Sequence, residues 1–387
     1  MALQVWSVGI EGYRSVRRLH FPLKRLNVFI GENGVGKTNL YRGLQLVQAA
    51  AAGSLSRELA AEGGMESAIW AGPHKKNERA RIKLRAELGT MGSDYAYSAE
   101  AGLVQQYEVG VGLRIPTGAG FLLEPQIKDE ALTFLGGRRP VTMMERHGPH
   151  GFARDEEGKR HDLNDDLLPS ETALGSLNHP GQFPDLHIVR AAMLGWRFYH
   201  AFRTDPASPL RNPCLAVTTP TLSSDGADLA AVFATLTHIR EDTVDLDETV
   251  ADAFPGAQLV VPEPGRTASF GMTYAEFPKR VFEASELSDG TLRFLALAGA
   301  LLGYRLPPLV ALNEPETSLH PDLLPALGRL IARAAERTQV WVVTHSQILA
   351  DALEDASGVR PRRVYKQDGE TLIKGISRLG VMDDDEG

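Results

Sequence analysis

The stretch NVFIGENGVGKTNL, residues 27 to 40, constrains the fold of this chain more than any other. Asn27, Val28, Phe29 and Ile30 form a short apolar run of good strand formers, which reads as a buried strand entering a turn. Gly31, Gly34 and Gly36 allow positive φ and bring successive backbone N–H groups close enough together to surround phosphate oxygens. Lys37 adds a point charge and Thr38 a hydroxyl able to ligate magnesium. A helical stretch, Leu40 to Leu46, follows at once, so a helix N-terminus is aimed at the same anion. The plainer reading is a glycine turn that happens to carry a lysine; the strand before it and the helix after it favour a phosphate-binding P-loop in an α/β fold.

Composition sets the bounds. With 387 residues and 43% hydrophobic content, the chain can bury one large core or two lobes. The longest apolar run, Phe294 to Tyr304, is too short to span a bilayer and is bounded by arginines. The N-terminus lacks the apolar core of a signal peptide, so a cytoplasmic protein with no membrane partner is expected. Cys214 is the single cysteine, which excludes an internal disulfide and a cysteine-based zinc site. A net charge of −8 argues against non-specific coating of nucleic acid. It leaves room for a local basic face in GYRSVRRLHFPLKRL, residues 12 to 26.

Along the chain, residues 1 to about 48 read as strand, turn, strand, P-loop and helix. RIKLRAEL (81 to 88), YAYSAEAGL (95 to 103) and YEVGVGLRI (107 to 115) alternate and are separated by Gly and Ser, as in an antiparallel β-subdomain. The span Arg138 to Ser176, with RDEEGKRHDLNDD, reads as loop-rich and exposed. Helical spacing returns in 185 to 196, 228 to 239 and 249 to 256, without the sustained heptads of a coiled-coil arm. From Gln258 onward strands and helices alternate, which predicts a mixed, mostly parallel sheet. The resulting division is 1–135 (P-loop and β-subdomain), 136–256 (loop-rich and helical insertion) and 257–387 (C-terminal part of the lobe).

Three stretches in that last part carry further chemistry. In ELSDGTLRFLALAGALL, residues 286 to 302, Ser288 and Gly290 precede a long apolar helix and offer a hydroxyl and N–H groups to an anion. Taken alone this is a well-capped helix. In PPLVALNEPETSLHP, residues 307 to 321, an apolar strand ends in Asn313 and Glu314, at the sheet edge where open α/β folds bind ligands. Glu314 is the natural general base for an attacking water. In QVWVVTHS, residues 339 to 346, a second apolar strand delivers His345 to the same edge, where an imidazole can contact a γ-phosphate or orient the water.

The order GENGVGKT, LSDGTLR, LNEPETSLHP, VVTHS resembles the ABC-type ATPase heads of the RecF/SMC branch. More narrowly it is similar to compact, arm-less AAA-family ATPases of the RecF-like and overcoming-lysogenization-defect groups. The likeness covers residues 3 to 48 and 220 to 350 and extends to TPTLSSDGADLAAVFATL and DAFPG. It implies a P-loop NTPase of ABC-type head architecture. Gly31 to Thr38 would be Walker A, with Asn33 and Asn39 also contacting ATP, and Ser288 to Gly290 the signature. Thr38 and Asn313 would serve Mg2+, Glu314 and His345 would be catalytic together with Lys37, and Arg14 would contact nucleotide or sense DNA. Such heads form a homodimer in which the signature of one copy closes on the ATP of the other. The family usually has Asp where this chain has Asn313; an amide oxygen still accepts hydrogen bonds but lacks the charge that strengthens them.

These residues predict a slow ATPase whose engagement cycle controls a partner or a DNA contact. Within that expectation, a repair or recombination ATPase on duplex DNA stands beside the sensor subunit of a phage-defence or toxin-type system with an operon-encoded nuclease or toxin effector. A nucleotide-dependent binding module with little hydrolysis, favoured by Asn313, is the third reading. The acidic cluster of a Toprim nuclease is not evident, and the glutamine loop of the family is not placed, MESAIWAG (65 to 72) being a guess.

Overall fold

A computed structural model describes residues 3–73, 80–90, 104–113, 121, 123–136, 139–163, 167–177, 179–200 and 202–377. The chain divides into two compact units, one of Met1–Lys24, Gly31–Trp196 and Arg363–Gly387, the other of Arg25–Ile30 and Arg197–Arg362. Strands β1 (Gln4–Tyr13), β2 (Val16–Pro22) and β3 (Leu26–Ile30) precede helices α1 (Lys37–Ala52), α2 (Leu55–Ala61) and α3 (Met65–Ala68). Then come β4 (Arg81–Gly89), β5 (Val104–Gly112), β6 (Gln126–Leu135), β7 (Val141–His147), β8 (His150–Arg154), β9 (Arg160–Asp162), α4 (Ala173–Ser176) and α5 (Pro184–Leu194).

All of these except β3 belong to the first unit. Its centre is an antiparallel sheet of eight strands in the order β2-β1-β4-β5-β6-β7-β8-β9. Val8 and Ile10 of β1 and Leu84 and Ala86 of β4 face inward and are buried, and α1 packs on these strands. The approach is close: a Cβ on Gly43 of α1 would lie 2.3 Å from Ile10 Cδ1. Two sequence expectations change here. The antiparallel sheet begins with β1 and β2 themselves, before the P-loop, and so is larger than a subdomain inserted after it. The charged span from Arg138 onward contains β7, β8 and β9. Its charges sit on an edge hairpin, where the carboxylate of Asp155 accepts hydrogen bonds from the N–H of Glu157 (3.1 Å) and Lys159 (2.8 Å), and charged edge strands resist pairing with other chains. The strand expected at 95 to 103 lies outside the described residues.

The second unit continues with β10 (Arg197–Tyr199), β11 (Cys214–Leu215), α6 (Leu229–Ala234), α7 (Val244–Ala253), β12 (Ala257–Val260), β13 (Thr267–Ala268), β14 (Gly271–Tyr274) and β15 (Phe277–Glu283). It closes with α8 (Asp289–Leu302), β16 (Leu309–Asn313), α9 (Leu324–Ala335), β17 (Gln339–Thr344) and α10 (Gln347–Ser357). The hairpin β18 (Arg362–Gln367) and β19 (Glu370–Ile373) returns to the first unit. In the second unit β10, β16, β17 and β3 are parallel neighbours in that order. β16 and β17 are buried along their whole length, and Phe29 of β3 stacks on Trp341 of β17 with ring centroids 4.5 Å apart. Such continuous apolar strands are what a parallel sheet covered on both faces requires. From Thr291 to Leu302, α8 is buried on every side. Among the described residues no helix is long and apolar enough to cross a membrane.

Candidate functional site

In the first unit the glycine loop runs from Gly31 to Gly36 and α1 starts at Lys37, so the positive end of the helix dipole opens onto the loop. Gly34 and Gly36 have φ of 81° and 99°. Gly36 has no room for a side chain, since a Cβ would lie 2.0 Å from Thr371 Oγ1 and 2.7 Å from Ser15 Oγ. The Lys37 ammonium is buried and donates to the carbonyls of Gly31 (2.6 Å) and Glu32 (2.7 Å). Asn33, Gly34 and the Thr38 side chain are exposed on the loop surface.

The loop is braced from behind by residues that lie far apart in the sequence. Asn39 Nδ2 donates to Ser15 Oγ (2.7 Å), Ser15 Oγ shares a hydrogen bond with Thr371 Oγ1 (2.7 Å), and Thr371 Oγ1 donates to the Val35 carbonyl (2.8 Å). Arg14 has a φ of 49° and its guanidinium donates to Glu62 (2.7 Å), which also accepts from Tyr13 Oη (2.8 Å) and Arg42. Burial and the neighbouring Glu62 carboxylate raise the Tyr13 hydroxyl well above its ordinary pKa. In MESAIWAG, Met65–Ala68 form α3, and Ile69 bridges to Tyr13.

In the second unit, the parallel register sets Ile30 opposite Thr344 and Val343 opposite Asn313. The C-terminal ends of β3, β17 and β16 therefore share one edge, and the chain leaves β3 directly into Gly31. At that edge Glu314 has φ 49° and its N–H donates to the Val343 carbonyl (2.7 Å). His345 Nδ1 lies 3.9 Å from Glu314 Oε1 and 3.2 Å from Glu316 Oε1. Glu316 went unnoticed in the sequence, although the repeated acid of EPE is a signal that could have found it. It is buried, and its Oε1 accepts from Thr344 Oγ1 (2.5 Å) and from the N–H groups of His345 (2.9 Å) and Ser346 (3.3 Å). One carboxylate oxygen thus fixes the turn that carries His345.

Asn313 is 1% exposed; its Nδ2 lies 2.6 Å from His200 Nδ1, and its Oδ1 has no partner. A buried, unpartnered carbonyl oxygen at this strand end fits a hydrogen bond to a magnesium-bound water, so the residue suits the metal shell despite its missing charge. Ser288 caps α8, its Oγ accepting from Thr291 N–H at 3.1 Å. A Cβ on Gly290 would lie 3.3 Å from the Ser318 carbonyl, and Ser318 itself has φ 64°. The α8 N-terminus thus runs past the loop that follows Glu314. Arg293, one turn further on, is buried with Nη2 3.4 Å from the Glu314 carbonyl. Burial holds its pKa below the usual arginine value, opposed by Glu316 and Glu314.

A glycine loop entered from a parallel strand, a strand ending in an acid beside a histidine, and a serine-capped apolar helix are the parts of an SMC-head-like fold. The comparisons agree. Residues 162–351 match the family described as "AAA domain, putative AbiEii toxin, Type IV TA system", and residues 1–55 match "Protein of unknown function (DUF2813)". A structure of the Smc head bound to the C-winged helix domain of ScpA is similar with a TM-score of 0.54 at 15% identity, over 96% of this chain and 97% of that chain. A Smc head domain with an extended coiled coil, bound to the C-terminal domain of ScpA and derived from Pyrococcus furiosus, gives 0.51 at 14% identity, over 96% of each chain. At these identities the likeness is one of fold. No curated protein matches the chain.

Proposed function

We propose that this chain binds and hydrolyses ATP as a dimerising switch. Two copies sandwich two nucleotides, and the cycle controls a partner effector of a toxin-type or defence system. The observation that carries this reading is the shared strand edge, where Asn313, Glu314 and His345 stand level with the end of β3, the strand that runs straight into the P-loop. Backbone N–H groups from Gly31 to Thr38 and the Lys37 ammonium hold the phosphates. Glu314 takes the proton of the attacking water, and His345, steadied by Glu316, orients that water against the γ-phosphate. Ser288 and Gly290 of the second copy complete the anion contacts. Magnesium, when bound with the nucleotide, neutralises phosphate charge; the Thr38 hydroxyl and the Asn313 carbonyl oxygen are the side-chain groups suited to its shell.

Effector control is preferred to a grip on duplex DNA for two reasons. The family match is to an AbiEii-type domain. In addition, the basic stretch 12 to 26 is largely engaged: Arg14 binds Glu62, Arg18 lies 4.0 Å from Glu11, and Arg25 donates to the Glu336 carbonyl. Steady-state hydrolysis by purified protein tests the assignment. Glu314→Gln lowers the rate by about a hundred-fold or more while ATP still binds, and Lys37→Ala loses binding itself. A Gln variant that turns over at the wild-type rate removes Glu314 from its role.

A further inference from the structure

An amide differs from a carboxylate in one respect that the structure makes consequential. Either oxygen of an aspartate can accept a hydrogen bond, whereas an asparagine accepts at one end and donates at the other. Asn313 therefore serves a metal-bound water only when its amide is turned the right way. The parallel register places Tyr199 of β10 opposite Leu312 of β16, so the residues that follow, His200 and Asn313, stand side by side. His200 itself is exposed and follows a buried anchor in the chain. Tyr199 is buried, with its hydroxyl on the Leu222 carbonyl (2.8 Å), and Phe202 is buried with its ring 5.5 Å from that of Tyr199. The 2.6 Å contact joins His200 Nδ1 to Asn313 Nδ2, which leaves Oδ1 buried and without a partner on the other end of the amide.

We propose that His200 is a positioning residue: its Nδ1 accepts the Asn313 N–H and thereby turns Asn313 Oδ1 toward the magnesium shell, so that Asn313 and His200 together replace the single carboxylate usual at this position. The inference rests on the reading of Asn313 as a shell residue. Partners one step removed from a metal commonly change its affinity ten-fold or more.

The test is a titration of magnesium into protein and a fluorescent ATP analogue, read as binding and independent of turnover. His200→Ala raises the magnesium concentration for half-maximal binding by about ten-fold and leaves metal-free binding of the analogue unchanged. His200→Gln, whose side-chain oxygen can accept the same N–H, restores most of the loss. With Asn313→Asp in place, His200→Ala shifts the midpoint by less than about two-fold, because a carboxylate needs no turning. Equal shifts with and without the Asn313→Asp substitution, or no shift in either background, overturn the proposal. A wild-type titration without magnesium dependence, seen before any His200 variant is made, overturns the shell reading itself.

Discussion

Glu314 sits at φ 49°, a left-handed conformation that costs a non-glycine residue roughly 1–3 kcal/mol, and it occupies the position assigned to the general base. That strain turns the chain so that Glu316 comes inward and meets Thr344, His345 and Ser346. The sequence makes Glu314 visible, since a carboxylate ending an apolar strand is a recognisable feature. It does not show the backbone angle, so the inward turn of Glu316 was not legible. The strain can be measured by comparing Glu314→Gly with Glu314→Ala in urea unfolding. Glycine is normally the less stable of such a pair by about 0.5–1 kcal/mol; here the order reverses, and neither variant hydrolyses ATP. Glu316→Gln weakens three hydrogen bonds at the turn carrying His345; an expected loss of about 1–3 kcal/mol is accompanied by slower hydrolysis at unchanged ATP affinity. At the P-loop, Gly36→Ala meets both a φ of 99° and the Thr371 hydroxyl, so it abolishes ATP binding, as a nucleotide titration would show.

At the scale of elements, the parallel strands and helices of the C-terminal part were legible because their apolar runs are long and uninterrupted; β16, β17, α8 and α9 fall within two residues of the spans the sequence predicts, 308–313, 339–344, 291–304 and 322–336. The antiparallel sheet was less so. β1 and β2 precede the P-loop, and sequence order alone assigns them to the same lobe, whereas their pairing with β4 places them in the eight-stranded sheet. The hairpins from Val141 to Asp162 were hidden by charge, which on an edge strand reads like a loop. His147 ties β7 to β6 through Asp129 (3.1 Å) and also bonds Glu145 of its own strand (3.0 Å), and these hydrogen bonds raise its pKa above 6.5. Because the folded pKa is the higher one, this contribution is fully present below pH 6.5 and is lost as pH rises through the raised value. The pair is exposed, so less than about 1 kcal/mol is expected. Urea midpoints measured at both ends of that window should converge once His147→Gln is made, and an unchanged pH dependence would remove the His147 contribution.

At the scale of the whole molecule, each unit contributes different chemistry. The first unit carries the glycine loop and the residues that brace it, and the second carries the strand edge with Glu314 and His345 and the serine-capped α8. Sequence order exposed both sets of motifs, since each sits in a strand-to-loop or loop-to-helix transition with its own residue signature. It could not expose Thr371 behind the P-loop or His200 beside Asn313, because those contacts arise from strand pairing and distant chain segments with no local pattern. The central claim is that ATP joins two copies through Ser288. Light scattering on the Glu314→Gln variant with ATP and magnesium measures it directly. The account predicts a mass of about twice the 42.1 kDa of one chain, falling back to a single chain without ATP or when Ser288→Arg is added. A Glu314→Gln protein that binds ATP and keeps the same mass with and without it would contradict the account.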